Sequence, residues 1–162
     1  MGPPCSRKYE IAEIVARKHG ITHVSISDLL LKEIGNKNDN SQSILASMNN
    51  GELVNDKFIL KLLEDRLYAS DCMINGWILT GFPKNNSQIH YLKSTKAFNP
   101  SKVINIYLDD EVTSKRSLMR KLDPISGRFY FVNKENEGSL SKEILNRLMI
   151  KNEDRPEIFQ KR

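Results

Sequence analysis

A chain of 162 residues, 39% hydrophobic and 28% charged, is long enough for one domain with a buried core, which excludes a disordered tail. Its 25 Lys and Arg against 20 Asp and Glu give +5, spread without a run of like charge, so the excess suits a phosphate-handling cleft and not a nucleic-acid tail. With no apolar leader and no long uncharged apolar stretch, neither secretion nor a membrane partner is expected, and the cytoplasm is the default location.

Taken in chain order, Gly2-Pro3-Pro4-Cys5-Ser6-Arg7-Lys8 has the length and position of a phosphate loop opening a helix, with Lys8 placed to reach phosphates. Alone the match is weak, because Arg7 stands at the defining second glycine. A helix over about 9–19 follows, with Ile11, Ile14 and Val15 on one face, Arg17 and Lys18 near its end and Gly20 as a stop. A short strand is expected over 21–26, then a helix capped by Ser27 and ending at Gly35. Ser41 begins another helix, and Asn55 caps a longer one with Phe58, Ile59, Leu62, Leu63 and Leu67 inward.

Trp77-Ile78-Leu79-Thr80 reads as a buried strand opening at Gly81 into a loop, and the apolar run 103–108 reads as a second one. A helix from Asp109 is expected to carry Arg116, Arg120 and Lys121. Turn chemistry at 123–127 precedes a candidate hairpin strand over 128–132, and two helical stretches follow, near 140–149 and from about Glu153. The alternation marks a layered α/β fold. Cys5 and Cys72, far apart and without metal-ligand spacing, are read as free thiols, and His19, His23 and His90 as structural or exposed.

Five stretches share an order and spacing that resembles the adenylate kinase family. They are the 2–8 loop, His23 to Leu30, Gly51 to Asp56, Gly76 to Gln88, and Arg116 to Tyr130. The resemblance implies a P-loop three-layer sandwich: a parallel five-stranded sheet with helices on both faces, a helical monophosphate-binding insert over 27–55 and a long lid over 122–139. Having no Cys or His, that lid should hold no zinc. The implied reaction is ATP plus AMP to two ADP with Mg²⁺. The sequence is most similar to the multidomain adenylate-kinase-like proteins of cilia and flagella, with other domains of a longer protein as partners. The family has a strand before the loop and further elements beyond residue 162, so this chain is expected to be a fragment or a shortened product.

Carried over position by position, the resemblance assigns Gly2, Pro3, Pro4, Cys5, Ser6, Arg7, Lys8, Tyr9, Glu10, Arg116 and Arg120 to ATP. It assigns Ile26, Leu31, Leu53, Val54, Gly81, Lys84 and Gln88 to AMP, with Gln88 reading adenine. Lys8, Arg116, Lys151 and Arg162 are the implied catalytic cations, and no metal ligand is assigned. The departures are as telling as the matches. Cys5, Arg7 and Tyr9 replace glycines, so side chains are expected in left-handed backbone positions. Arg7 either contacts phosphate or fills its place. Glu10 stands where the family has a hydroxyl for Mg²⁺ and Thr80 where it has an aspartate, which reads either as a compensating exchange or as lost metal binding. Ile26 and Leu31 remove a hydroxyl and a cation from the acceptor side. Activity is therefore expected to be weak or lost. The rival readings are an inactive nucleotide-binding or structural module and a kinase for UMP, CMP or another monophosphate.

Overall fold

The computed structural model describes residues 1–50, 52–95, 98–125, 129–133, 136–150 and 154–155. Two strands organise it. β1 (Thr22–Ser25) runs parallel to β2 (Trp77–Thr80), in a register that sets Thr22 beside Trp77 and Ser25 beside Thr80. The expected parallel sheet is thus present, with two strands among the described residues where the resemblance implies five.

Helix α1 (Lys8–His19) lies against both strands and buries Ala12 and Ala16, small residues that permit close approach. It stops at Gly20, whose φ of 66° is a left-handed conformation that glycine adopts without a Cβ clash. α2 (Ile26–Gly35) starts directly from β1. Its cap is Ser25, whose Oγ accepts from the Asp28 N–H at 3.3 Å, and not Ser27 as expected, because the last strand residue already has the extended backbone a cap needs. α3 (Asp39–Asn50) begins two residues before Ser41.

α4 (Asp56–Leu67) is capped by Asn55 as expected and buries Ile59, Leu63 and Leu67 at one helical repeat. These pack with Val24, Ile26, Leu30, Phe82, Leu92 and Phe98 into the core. Two helices had no counterpart in the sequence reading, α5 (Ser70–Asn75) and α6 (Asn86–Ser94).

Beyond α6 the expectations need three corrections. The run 103–108 is not a strand. Its backbone meets Met1, whose amino group donates to the Ile104 carbonyl and whose carbonyl accepts from Ile106 N–H at 2.9 Å, while Val103 and Tyr107 remain exposed. α7 (Asp110–Met119) ends before Arg120 and Lys121, which lie in β3 (Arg120–Leu122), antiparallel to β4 (Phe129–Phe131). α8 (Lys142–Arg147) is shorter than the 140–149 stretch. Ser141 caps it, and Met149 leaves it to exchange two backbone bonds with Leu122 at 2.8 and 2.9 Å. Gly51, Ser126, Gly127, Arg128 and the helix from Glu153, apart from Asp154 and Arg155, lie outside the described residues.

Replacing Leu63, fully buried at the centre of this core, by alanine should cost about 2–5 kcal/mol, read from the urea midpoint. A second outcome concerns pH. Arg66 holds Asp71 through bonds of 2.8 and 2.6 Å and keeps its carboxyl at about 2 instead of 3.8. A depressed carboxyl stabilises the fold above its ordinary range, and that share disappears as pH falls from about 4 through about 2. The urea midpoint should drop over this window slightly more in the native chain than in Arg66→Leu, the effect being small because Asp71 is half exposed.

Candidate functional site

Both parallel strands end at the same level, and the chain leaves each of them at a turn. Gly81 follows β2 with φ of 81°, and a Cβ there would stand 3.6 Å from Ile26 at the start of α2. In open α/β sheets such strand ends are where ligands bind. A cavity of about 1130 Å³ opens here. Typical small-molecule pockets hold about 300–1,000 Å³. From the loop side Gly2, Pro3, Pro4 and Lys8 line it; from the other side come Ile26, Leu53, Val54, Gly81, Lys84 and Gln88. Residues assigned to two different nucleotides on sequence thus share one wall. Cys5, Ser6, Arg7, Tyr9, Glu10, Leu31, Arg116 and Arg120 lie outside that lining, and Leu31 is half exposed.

The 2–8 loop closes on itself. Lys8 Nζ donates to the Gly2 and Pro3 carbonyls at 3.1 and 3.0 Å, so the ammonium sits inside the ring that its own backbone makes. Arg116 reaches from α7 to the Cys5 carbonyl at 3.3 Å. Ser6 Oγ is buried and has no hydrogen-bond partner, an orphaned donor of the kind an anion in the loop would satisfy. The amides of the first turn of α1 have no side-chain cap, as suits a helix that presents its N-terminus to phosphate.

The expected backbone cost is present at Cys5 and Arg7 but not at Tyr9, which lies within α1 with ordinary helical backbone. Cys5 has φ of 56° and Arg7 of 59°, left-handed positions that cost a residue with a side chain about 1–2 kcal/mol each. Arg7 does not fill a phosphate site. Its guanidinium lies in solvent, 3.5 Å from Glu10, in an exposed pair worth little.

Thr80 and Glu10 do not converge on a metal position. Thr80 Oγ1 is bonded to His23 Nε2 at 2.9 Å, and the Asp28 carboxylate accepts from the Tyr9 hydroxyl at 2.9 Å. The Tyr9 and His23 rings meet edge to face at 4.8 Å. Burial, then the bond to Asp28, pushes the Tyr9 hydroxyl up to about 12, and burial lowers the His23 imidazole. Among the described residues no three His, Cys, Asp or Glu side chains gather as a metal-binding group. The residues at this corner, each engaged with another, do not fit a Mg²⁺ held by the protein. His23 is structural, one of the two readings made from sequence, and Cys5 and Cys72 are buried and not joined in a disulfide.

Sequence reasoning missed the acids that hold the site's cations and amide. Asp123, taken as turn chemistry, is fully buried and bonds Arg147 at 2.9 and 2.8 Å. Asp154 holds Arg120 at 2.7 and 2.6 Å, with the Arg120 guanidinium 4.9 Å over the Phe129 ring. Asp56 accepts from Gln88, Asn85 and Ser87. Their only sequence signal is an acid placed beside turn residues. Lys151 and Arg162 lie outside the described residues.

A family model described as adenylate kinase matches residues 1–162. The chloroplastic adenylate kinase of Zea mays is 33% identical over 144 residues, covering 87% of this chain and 64% of that protein. An adenylate kinase of Buchnera aphidicola subsp. Schizaphis graminum is 30% identical over 167 residues, all of this chain and 76% of that protein. Adenylate kinase 8 of Xenopus laevis is 32% identical over 129 residues, 80% of this chain but 26% of that protein. The chain therefore spans under two thirds of the maize protein and about a quarter of the frog one.

Because Arg7 occupies a left-handed position with its side chain in solvent, Arg7→Gly should stabilise the fold by about 1 kcal/mol, raising the thermal midpoint by about 2–4 °C.

Proposed function

Since the chain belongs to the adenylate kinase family, we propose that it binds ATP at the 2–8 loop and AMP against Leu53, Val54, Lys84 and Gln88. It transfers the terminal phosphoryl between them, giving two ADP at a low rate. The observation that carries this reading is the single cavity whose walls join the Lys8 loop to Gln88. A donor and an acceptor in one enclosure meet the first demand of phosphoryl transfer, that the two phosphates lie in line and close.

In this reading Lys8 exchanges its bonds to the Gly2 and Pro3 carbonyls for phosphate oxygens, and Ser6 Oγ gains the partner it lacks. Arg116, Lys151 and Arg162 supply positive charge to the transferring group, which spreads its own charge over three oxygens, and Arg120 contacts ATP. Residues 27–55 form the monophosphate-binding insert and 122–139 the lid, whose closure would exclude water and so favour transfer over hydrolysis. Mg²⁺ would arrive with ATP, bound by phosphate oxygens and water. No residue of this chain is assigned to hold it. Among the described residues no helix is long and apolar enough to cross a membrane.

Specific observations favour a second reading, a nucleotide-binding module without turnover. Cys5 and Arg7 hold left-handed backbone where the family has glycine, and Asp28 and Thr80 are tied to Tyr9 and His23.

One pair of measurements separates the two. Phosphorus NMR should show ADP forming only when ATP and AMP are both present, with Lys8→Ala lowering kcat/KM by about 100-fold. Calorimetric heat for ATP and AMP without ADP formation would give the second reading. No heat from ATP, AMP or a bisubstrate dinucleotide at millimolar concentration would defeat both.

A further inference from the structure

Gln88 is 1% exposed, yet it lines the cavity together with Leu53 and Val54. Its amide is held at both ends by partners that cannot exchange roles. Oε1 accepts from the Lys84 backbone N–H at 2.7 Å, and that group only donates. Nε2 donates to Asp56 Oδ1 at 2.6 Å, and a carboxylate only accepts. Turning the amide over would set NH₂ against N–H and carbonyl against carboxylate, losing two hydrogen bonds, one of them charge-assisted, for two repulsions.

Asp56 is itself fixed. It sits in the first turn of α4, accepts from Ser87 Oγ at 2.5 Å and from Asn85 Nδ2 at 3.2 and 3.1 Å, and the Ser87 and Gln88 bonds keep its carboxyl below the usual range. Asn85 caps α6 and accepts the Gln88 backbone N–H at 2.9 Å, so the ends of two helices are pinned to one carboxylate. What remains of the Gln88 amide is one N–H and one lone pair of Oε1, in an order that cannot be reversed.

We propose that Asp56 is the positioning residue for acceptor-base specificity: by locking the Gln88 amide in one orientation it makes the site discriminate between 6-amino and 6-oxo purine monophosphates. A 6-amino purine offers an acceptor ring nitrogen beside a donor amino group, and a 6-oxo purine offers the reverse. A glutamine free to turn over would serve both, whereas a locked one serves a single order. The inference rests on the acceptor-site reading proposed above, which makes the favoured class the 6-amino one. Discrimination of this kind is strong, because the wrong base leaves buried polar groups unpaired.

The test is calorimetric binding of AMP and IMP to the full chain and to Asp56→Asn, with thermal midpoints recorded beside them. The asparagine keeps the shape but offers either a donor or an acceptor, so a turned Gln88 then opposes only the Lys84 N–H instead of both partners, and the reversed orientation costs less. The expected result is AMP bound about tenfold or more tightly than IMP by the native chain, the ratio falling at least about threefold in Asp56→Asn while ATP affinity is unchanged. A merely structural role would weaken both monophosphates together, and an unchanged ratio in a folded Asp56→Asn overturns the inference. Equal affinities in the native chain overturn it without any variant. A native preference for IMP that Asp56→Asn abolishes upholds the lock and defeats the adenine assignment. Failure of either monophosphate to bind while ATP does defeats the acceptor-site reading and the inference with it.

Discussion

The parallel register that sets Ser25 beside Thr80 is the constraint from which the site follows. Because β1 and β2 end at one level, α2 and the Gly81 turn leave the sheet side by side, and α1, packed across both strands, aims its N-terminal loop at the same spot. A slip of one residue would turn every side chain of one strand to the opposite face. Val24 would then leave the core. The cavity's position thus follows from strand pairing, and the altered positions Cys5, Arg7, Tyr9 and Glu10 are not part of its lining.

That independence explains how the loop can depart so far from the family while the fold does not. Cys5 and Arg7 hold left-handed conformations that the Lys8 bonds to Gly2 and Pro3, the Arg116 bond to Cys5 and the packing of α1 all impose. The strain is local and the scaffold supports it. Around the loop, polar groups have found one another: Tyr9 with Asp28, His23 with Thr80, Glu10 with Arg7. Their pairing leaves the family's fold intact while engaging the polar groups beside the loop with one another.

Much of the fold was legible because it rests on local rules. The repeat of Ile59, Leu63 and Leu67 behind Asn55, the stop at Gly20 and the Trp77–Thr80 strand are each written within a few residues. The loop's strain was legible too, since left-handed backbone forced on a side chain follows from the missing glycines. What was not legible depends on distant partners. The apolar run 103–108 has strand composition, but a strand exists only through the neighbour it pairs with, and Met1 supplies one residue of pairing. Arg120 belongs by pattern to α7, yet pairing of the 120–122 stretch with β4 overrides helical periodicity. Asp56, Asp123 and Asp154 looked like ordinary acids near turns, because burial and a bidentate guanidinium cannot be read from spacing.

The two arginine pairs around β3 carry a consequence for how this protein can change over evolutionary time. Asp123 is fully buried and Asp154 nearly so, each held by a two-pronged guanidinium. Removing one member strands a charge in a dry site, whereas replacing both by well-packed apolar side chains is often tolerated. Single steps through either pair are therefore closed, and drift at positions 120 and 154, or 123 and 147, has to proceed by joint replacement. Lineages of this domain should part company at those positions in couples, so that the chemistry of a buried ion pair survives as a historical record of linked choices.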